Sequence, residues 1–173
     1  ACKISGIAHL YNIKDTIKNK VGQKFVYNRV REALGLNRCY GMYSAAAPNA
    51  PDTVKYFLSL DIVIYEWYGM TEATGPIAIQ SGEKVVHGSV GQAYPGCQIK
   101  LVNKDEDEKG EICMKGRSMM MGYLNSYAKT NEAVDTDGWL HTGDMGTIDV
   151  DGHLYITGRY IRCLINALYF KSP

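Results

Sequence analysis

The stretch that decides the fold runs from Asp61 to Glu72 and reads Asp-Ile-Val-Ile-Tyr-Glu-Trp-Tyr-Gly-Met-Thr-Glu. Its first half is an apolar run that is typical of a buried strand. Its second half then presents an aromatic ring, a glycine turn, a hydroxyl group and a carboxylate at Tyr68, Gly69, Thr71 and Glu72. This is the order of groups needed to meet a base, a phosphate and a metal ion.

The residues before this stretch predict a parallel crossover unit. Residues 39–43 form an apolar segment that predicts a short strand, and residues 44–48 form a loop of small residues. A helix is predicted from Pro51 to Leu60, because proline and an acidic residue are both favoured in the first turn of a helix. This order places two loops at the same edge of a parallel sheet, which is where open α/β sheets bind ligands.

The pattern changes after Gln80, where glycine and proline separate short apolar segments. Such punctuation is typical of antiparallel hairpins. We therefore expect an α/β protein in which a partial parallel portion (residues 1–80) precedes an antiparallel, barrel-like β portion (81–157) and a short tail (158–173). The elements predicted in the β portion are strands over residues 97–102, 111–115, 139–141, 145–149 and 153–157 and a helix over 127–134.

The composition excludes several classes of protein. With 173 residues, 46% of them hydrophobic and 21% charged, the chain can form one globular domain or a large part of one. A net charge of +1 gives no field that would recruit nucleic acid. No apolar run approaches the roughly 18 residues of a transmembrane helix, so we expect a cytoplasmic protein. The five cysteines and four histidines lack the spacing of a disulfide framework or a zinc site.

Five short motifs, taken together in order and spacing, resemble one superfamily. Between about Val30 and Arg159 the chain resembles the adenylate-forming (AMP-binding) enzymes, which include acyl-CoA synthetases, luciferases and peptide-synthetase adenylation domains. The runs Arg31–Cys39 and Tyr65–Met70 are most similar to long-chain fatty acyl-CoA synthetases of the bubblegum type. The five motifs are Ser44-Ala-Ala-Ala-Pro48, Tyr68-Gly-Met-Thr-Glu72, Gly88-Ser-Val-Gly91 with Pro95-Gly96, Gly138-Trp-Leu-His-Thr-Gly-Asp144, and Gly158-Arg159.

The resemblance implies a ligase that works in two steps. A long-chain fatty acid attacks the α-phosphate of ATP to give acyl-AMP and pyrophosphate, and the thiol of CoA then displaces AMP. ATP, Mg²⁺ and CoA are the implied cofactors and co-substrates. Peripheral contact with a membrane is compatible with such a substrate, and no nucleic-acid partner is implied.

The first motif of the site has an implied role for each residue. Tyr68 would stack on adenine, although a tyrosine at the end of a strand is also a common part of a core. Gly69 and Met70 would bring backbone close to the nucleotide. Thr71 would donate to the α-phosphate and Glu72 would bind Mg²⁺, the catalytic pair that the resemblance implies. The alternative for this pair is an ordinary helix start.

The later motifs imply the ribose contacts. Asp144 would accept hydrogen bonds from both ribose hydroxyl groups, although an aspartate after glycine is more often a turn former. Arg159 would be the second ribose contact and Ile156 would pack against the nucleotide. His141 is expected to be a structural neighbour of Asp144. The adenine and acyl pocket would be lined by Ala46, Ala47 and Pro48.

The chain departs from the family pattern in three places. We find no Ser/Thr/Gly-rich loop with a lysine for the β- and γ-phosphates, and no C-terminal domain with the lysine that closes on the adenylate. Ile161 occupies the position of the polar hinge residue. We therefore expect a fragment of a ligase that is inactive alone. A noncatalytic truncated isoform with a residual AMP-binding surface, or a ligase for another carboxylic acid, are the alternatives.

Overall fold

The structure is a computed structural model that describes residues 26–47, 49–80 and 85–159. The chain divides into two compact units. Among the described residues, the first unit contains 26–47, 49–67, 80 and 85–88, and the second contains 68–79 and 89–159. No helix in these described ranges is both long enough and apolar enough to cross a membrane.

The first unit contains the predicted parallel crossover. Helix α1 (Asn28–Ala33) is followed by strand β1 (Met42–Ser44), helix α2 (Pro51–Ser59) and strand β2 (Ile64–Met70), of which residues 64–67 belong to this unit. Strands β1 and β2 pair in parallel, with Met42 opposite Ile64. The prediction of a strand over residues 39–43 was displaced by about three residues, because β1 begins only where β2 offers it a partner.

Helix α2 begins as its sequence predicts. Pro51 occupies the first turn after an extended Ala50, and a proline there sacrifices no intrahelical hydrogen bond. Val54 and Leu58 are four residues apart and are the two buried positions of the helix, so they share its inner face. Ile62, which follows the helix, is also completely buried.

Strand β2 runs further than predicted. Tyr68, Gly69 and Met70 belong to the strand, and only Thr71–Ala73 leaves it, as a single turn of 3₁₀-helix. The predicted turn at 68–70 was therefore wrong. A Cβ at position 69 would fall on the carbonyl group of Gly75, so glycine is required here by the close approach of the next strand's backbone rather than by a turn.

The second unit is antiparallel, as its glycine-rich sequence predicts. Strands β3 and β4 form one antiparallel pair. The other four strands pair in chain order as an antiparallel sheet, and a short helix lies in the connection between its second and third strands. The elements are β3 (Gly75–Ile79), β4 (Gln92–Ala93), β5 (Cys97–Val102), β6 (Gly110–Gly116), α3 (Tyr127–Ala133), β7 (Leu140–Ile148) and β8 (Leu154–Arg159).

Strand β7 is one continuous strand, whereas two strands separated by a turn were predicted. Register shifts between Glu111 and Cys113 and between Met145 and Gly146 absorb the irregular part of the sequence. Gly143 adopts a positive φ of 68° inside the strand. Since bulges increase twist without ending a strand, β7 continues through this segment: His141 pairs with Cys113 on β6, and Asp144 pairs with Arg159 on β8.

The core of the second unit joins its two sheets. Ile77 from β3, Ile112 and Met114 from β6, and Leu154 from β8 are buried completely or almost completely. Tyr68 at the end of β2 belongs to the same cluster. This core therefore fixes the end of β2 against the antiparallel strands within the second unit.

Candidate functional site

Asp144 is the centre of a group of predicted site residues in the second unit. Its backbone lies on β7 directly opposite Arg159 on β8. The Tyr68 hydroxyl donates a hydrogen bond to Oδ2 of Asp144 at 2.8 Å, and Nε of Arg159 lies 3.0 Å from Oδ1. Three residues separated by up to 91 positions in the chain are thus brought together by the fold.

Tyr68 contributes its hydroxyl group rather than an open ring face. The side chain is 8% exposed and its ring packs in the core of the second unit. Burial raises the pKa of the Tyr68 hydroxyl far above its ordinary value, and the Asp144 carboxylate adds to the effect. The hydroxyl therefore remains protonated at physiological pH and donates to Asp144 throughout that range.

The Asp144 carboxylate keeps room for a ligand. Each ionised carboxylate has about four lone-pair sites, and Tyr68 and Arg159 occupy two of them. Arg159 is 70% exposed while Asp144 is 16% exposed, so the ion pair itself contributes only about 0–1 kcal/mol to stability. The arrangement can accept two further hydroxyl donors and presents an exposed guanidinium beside them.

Strand β6 holds the Asp144 segment in place through Glu111 and Ile112, two residues that sequence reasoning missed. The Thr142 hydroxyl donates to the Ile112 carbonyl at 2.8 Å and accepts the Asp144 amide at 3.0 Å. Oε1 of Glu111 accepts the Gly143 amide at 3.2 Å. The available signal was the position of Glu111, a charged residue directly before the apolar segment 112–114 of β6.

Thr71 and Glu72 occupy the short 3₁₀ turn after β2. Thr71 is exposed and Glu72 is half-buried. The Tyr123 hydroxyl donates to Oε1 of Glu72 at 2.8 Å, and this bond raises the pKa of Tyr123. The Met120 amide donates to the Glu72 carbonyl at 2.7 Å. The loop that carries Tyr123 thus holds both the carboxylate and the backbone carbonyl of Glu72. Tyr123 and Glu72 are 51 positions apart, so no local sequence pattern predicts their contact.

Glu72 has the chemistry of a ligand for a hard divalent cation. Its carboxylate is accessible from one side, and the single bond from Tyr123 leaves most of its lone-pair sites for other partners. Mg²⁺ prefers one or two carboxylate oxygens together with phosphate and water ligands. The side chains therefore fit the predicted ion.

The other predicted residues lie in three places. Gly69 and Met70 lie at the end of β2, and Ile156 on β8 packs against the core that includes Tyr68. Ala46 and Ala47 are exposed in the loop after β1 of the first unit, and their nucleotide contacts remain predictions. Pro48 lies outside the described residues.

Comparison with known proteins gives a consistent family assignment. A model of the AMP-binding enzyme family matches residues 10–124. The long-chain-fatty-acid–CoA ligase ACSBG1 of Rattus norvegicus is 48% identical over 149 residues, which are 86% of this chain and 21% of that protein. The ligase ACSBG2 of Xenopus laevis is 46% identical over 151 residues, or 87% of this chain and 20% of that protein. The chain spans about a fifth of the length of these curated relatives.

Solved structures agree with the fold. Apo MatB from Rhodopseudomonas palustris matches with a TM-score of 0.66 and 28% identity, covering 77% of this chain and 29% of that one. The ATP-bound form of the same protein matches with a TM-score of 0.65 and 31% identity, covering 75% and 27%.

Proposed function

This chain belongs to the AMP-binding enzyme family, and we propose that it is a segment of a long-chain fatty acid–CoA ligase. The complete enzyme activates the fatty acid carboxylate with ATP, which forms acyl-AMP and releases pyrophosphate. The thiol of CoA then attacks the acyl carbonyl carbon, so that AMP leaves and acyl-CoA is formed. ATP, CoA and a long-chain fatty acid are the proposed substrates.

The observation that supports a long-chain fatty acid as the substrate is the sequence identity of the chain to ligases of different acids. Eight curated long-chain-fatty-acid–CoA ligases are 43–48% identical to the chain. The matched structures of malonyl-CoA, benzoate and o-succinylbenzoate ligases are 24–30% identical. A ligase for one of those smaller acids is the less supported alternative.

In the proposed mechanism the group around Asp144 holds the nucleotide. The Asp144 carboxylate accepts the ribose hydroxyl groups on the lone pairs that Tyr68 and Arg159 leave unused. Arg159 adds a guanidinium donor beside the ribose, and Ile156 adds an apolar surface. Because Tyr68 and Arg159 hold the carboxylate before the ligand arrives, little ordering entropy is lost on binding.

Thr71 and Glu72 act at the phosphates in the same proposal. The exposed Thr71 hydroxyl donates to the α-phosphate, where negative charge increases during attack by the fatty acid. The Glu72 carboxylate is the side chain that would hold Mg²⁺, and the ion would neutralise phosphate charge when bound. Tyr123 keeps the Glu72 carboxylate in one orientation through its hydrogen bond.

The experiment is a substrate comparison with the full-length protein that contains these residues. Palmitate, benzoate and malonate are supplied separately with ATP, Mg²⁺ and CoA, and acyl-CoA is measured by mass spectrometry. We expect palmitoyl-CoA as the dominant product. Preference for benzoate or malonate would replace the proposed acid, and the absence of any acyl-CoA would contradict the ligase proposal.

The 173-residue chain alone is proposed to be inactive, while keeping a weak AMP-binding surface. Tyr68, Asp144 and Arg159 all lie in the second unit, so their contacts with one another are made within that unit. Calorimetry with a nonhydrolysable acyl-AMP analogue tests the surface, with Asp144→Ala as the variant that should abolish binding. Acyl-CoA formation by the isolated chain would contradict the proposed inactivity.

We also place the enzyme in the cytoplasm with peripheral contact to membranes. A long-chain fatty acid partitions into lipid bilayers, so contact with a membrane surface would supply the substrate. Fractionation of the source cells into cytosol and membranes, with a salt wash of the membranes, measures this placement.

A further inference from the structure

A second group of chemically active side chains lies on the antiparallel sheet, apart from the nucleotide residues. Cys113 on β6 and His141 on β7 are direct cross-strand partners. Sγ of Cys113 lies 3.5 Å from Nδ1 of His141. Glu111 precedes Cys113 by two residues, and its Oε2 lies 3.0 Å from the same nitrogen. The three potential ligand atoms all lie within 4.8 Å of one another.

We propose that Glu111, Cys113 and His141 form a binding site for a divalent metal ion of the zinc type. The site is distinct from the proposed Mg²⁺ ligand Glu72, and it combines one thiolate, one imidazole and one carboxylate. The local backbone explains the convergence, because residues two apart on a strand share a face and a cross-strand partner points to the same side.

Two distances between the ligand atoms, Sγ–Nδ1 and Nδ1–Oε2, are close to the edges of a tetrahedral zinc centre. With Zn–S bonds of about 2.3 Å and Zn–N bonds of about 2.0–2.1 Å, tetrahedral geometry separates sulfur and nitrogen by about 3.5 Å. The observed distance between Cys113 Sγ and His141 Nδ1 is 3.5 Å. The corresponding nitrogen–oxygen edge is about 3.4 Å, compared with 3.0 Å observed to Glu111. A small rotation of the Glu111 carboxylate closes that difference.

The surroundings also hold the ligands in the orientation a metal needs. Oδ2 of Asp135 lies 3.7 Å from Nε2 of His141, the ring nitrogen that does not face Cys113 and Glu111. A carboxylate facing the second imidazole nitrogen is the usual outer partner of a metal-bound histidine. Oδ1 of Asp135 accepts the backbone amides of Asp137 and Trp139 at 3.0 and 2.8 Å, which fixes the carboxylate beside the ring. Oε1 of Glu111 is occupied by the Gly143 amide, which leaves Oε2 directed at the site.

The charges favour a dication that can displace a proton. An ordinary cysteine thiol has a pKa of about 8.5. The thiol is therefore protonated at neutral pH when no metal is bound. A metal ion that binds the thiolate must release this proton, and the thiolate and carboxylate then balance its two positive charges. The ammonium nitrogen of Lys100 lies 4.2 Å from the ring centroid of Trp139.

The donor set selects zinc over magnesium. A thiolate is a soft ligand that favours Zn²⁺ and related ions, whereas Mg²⁺ requires oxygen ligands. Cys113 is completely buried, Glu111 is 9% exposed and the His141 side chain is 30% exposed. The ion would thus be reached from the histidine side, where a water molecule can complete four-coordination.

Cobalt titration of the 173-residue chain tests the site, because Co²⁺ bound to a thiolate gives a charge-transfer band in the near ultraviolet. We expect one equivalent of Co²⁺ to produce the band and Zn²⁺ to remove it by displacement. Cys113→Ser should weaken cobalt binding by more than about 100-fold and remove the band. Cys97→Ser, at a half-buried free cysteine on the neighbouring strand β5, is the matched control and should titrate like the unmodified chain.

A second measurement needs no variant. Zinc binding at pH 7 should release about one proton per ion, because an ordinary thiol is protonated at this pH and binds a metal ion as the thiolate. Magnesium at the same concentration should release none. A cobalt band that persists in Cys113→Ser, or zinc binding without proton release, would overturn the proposal and leave the three side chains as a hydrogen-bonded network.

Discussion

Asp144 and Asp149 are five residues apart and use their carboxylates in opposite ways. Asp149 follows the end of β7, and its Oδ1 accepts the backbone amides of Asp151 and His153 at 3.0 and 2.8 Å. Asp144 lies inside β7, and its two oxygens face the side chains of Tyr68 and Arg159. One carboxylate shapes its own loop, while the other is held by distant parts of the second unit and keeps lone pairs for a ligand.

The Asp149 arrangement occurs three times in the second unit. Asp105 and Asp135 accept the amides two and four residues further on in the same manner. Each of these loops places a residue with positive φ three positions after the aspartate: Glu108 at 59°, Gly138 at 78° and Gly152 at 84°. The repeated geometry shows that Asp105, Asp135 and Asp149 each stabilise the loop that follows them. Asp144 differs because it has no bond to a following amide among its described contacts.

The largest expected effect comes from neutralising each aspartate in the full-length protein. Asp144→Asn removes the anionic acceptor that we propose for the ribose, and charged hydrogen bonds contribute about 1.5–3 kcal/mol each. We expect kcat/KM for ATP to fall by about 100-fold, which corresponds to about 2.7 kcal/mol. Steady-state kinetics with Asp149→Asn as the control should give a value close to that of the unmodified enzyme. Equal losses in both variants would remove the distinction between the two aspartates.

A smaller loss is expected from the tyrosines that bond these aspartates. Tyr68 donates to Asp144, and Tyr155 donates to Oδ2 of Asp149 at 3.0 Å. Tyr68→Phe keeps the buried ring and removes one donor to a carboxylate, so we expect kcat/KM for ATP to fall by about tenfold. Tyr155→Phe makes the same chemical change beside the loop aspartate and should leave the kinetics unchanged. A loss confined to Tyr155→Phe would contradict the assignment of Asp144 as the ligand-binding carboxylate.

Replacing Asp149, which should not affect the kinetics, should instead lower the stability of the fold. Asp149→Ala removes two backbone hydrogen bonds and the bond from Tyr155, and we expect the melting temperature of the 173-residue chain to fall by about 4–8 °C. The His153 amide is the main cause that holds the pKa of Asp149 below its usual value of 3.8. Because the folded pKa is the lower one, this stabilisation is present above pH 3.8 and is lost as the pH falls through the folded pKa. The difference in melting temperature should therefore shrink below pH 4, and a difference that grows on acidification would contradict this account.

The parts of the fold that depend on local patterns could be predicted from the sequence. The apolar run before Tyr68, the proline at the start of α2, and the glycine and proline residues that separate the segments after Gln80 each determine an element through nearby residues. These patterns correctly predicted the parallel crossover and the antiparallel sheet. The continuous strand β7 could not be predicted, because its bulges depend on partners in β6 and β8.

The same limit applies to the two groups of side chains. Tyr68 and Asp144 are 76 positions apart and Cys113 and His141 are 28 apart, so no local spacing reveals either contact. The resemblance to adenylate-forming enzymes supplied Tyr68, Asp144 and Arg159 as candidates. It supplied no role for Glu111 or Tyr123, whose contacts follow only from how the strands pair.

The smallest effect is expected in the Asp105 loop, where the residue with positive φ is a glutamate, Glu108, and not a glycine. Glu108 adopts the left-handed conformation that glycine adopts in the other two loops, at a cost of about 1–2 kcal/mol for a residue with a Cβ. Glu108→Gly removes that cost, but it adds about 0.5–1 kcal/mol of backbone entropy and loses an exposed ion pair with Lys104. We therefore expect a net gain of about 0.5 kcal/mol, measured by chemical denaturation. Gly152→Ala makes the opposite change in the Asp149 loop and should lose about 1 kcal/mol, so a gain in both variants would show that positive φ does not limit these loops.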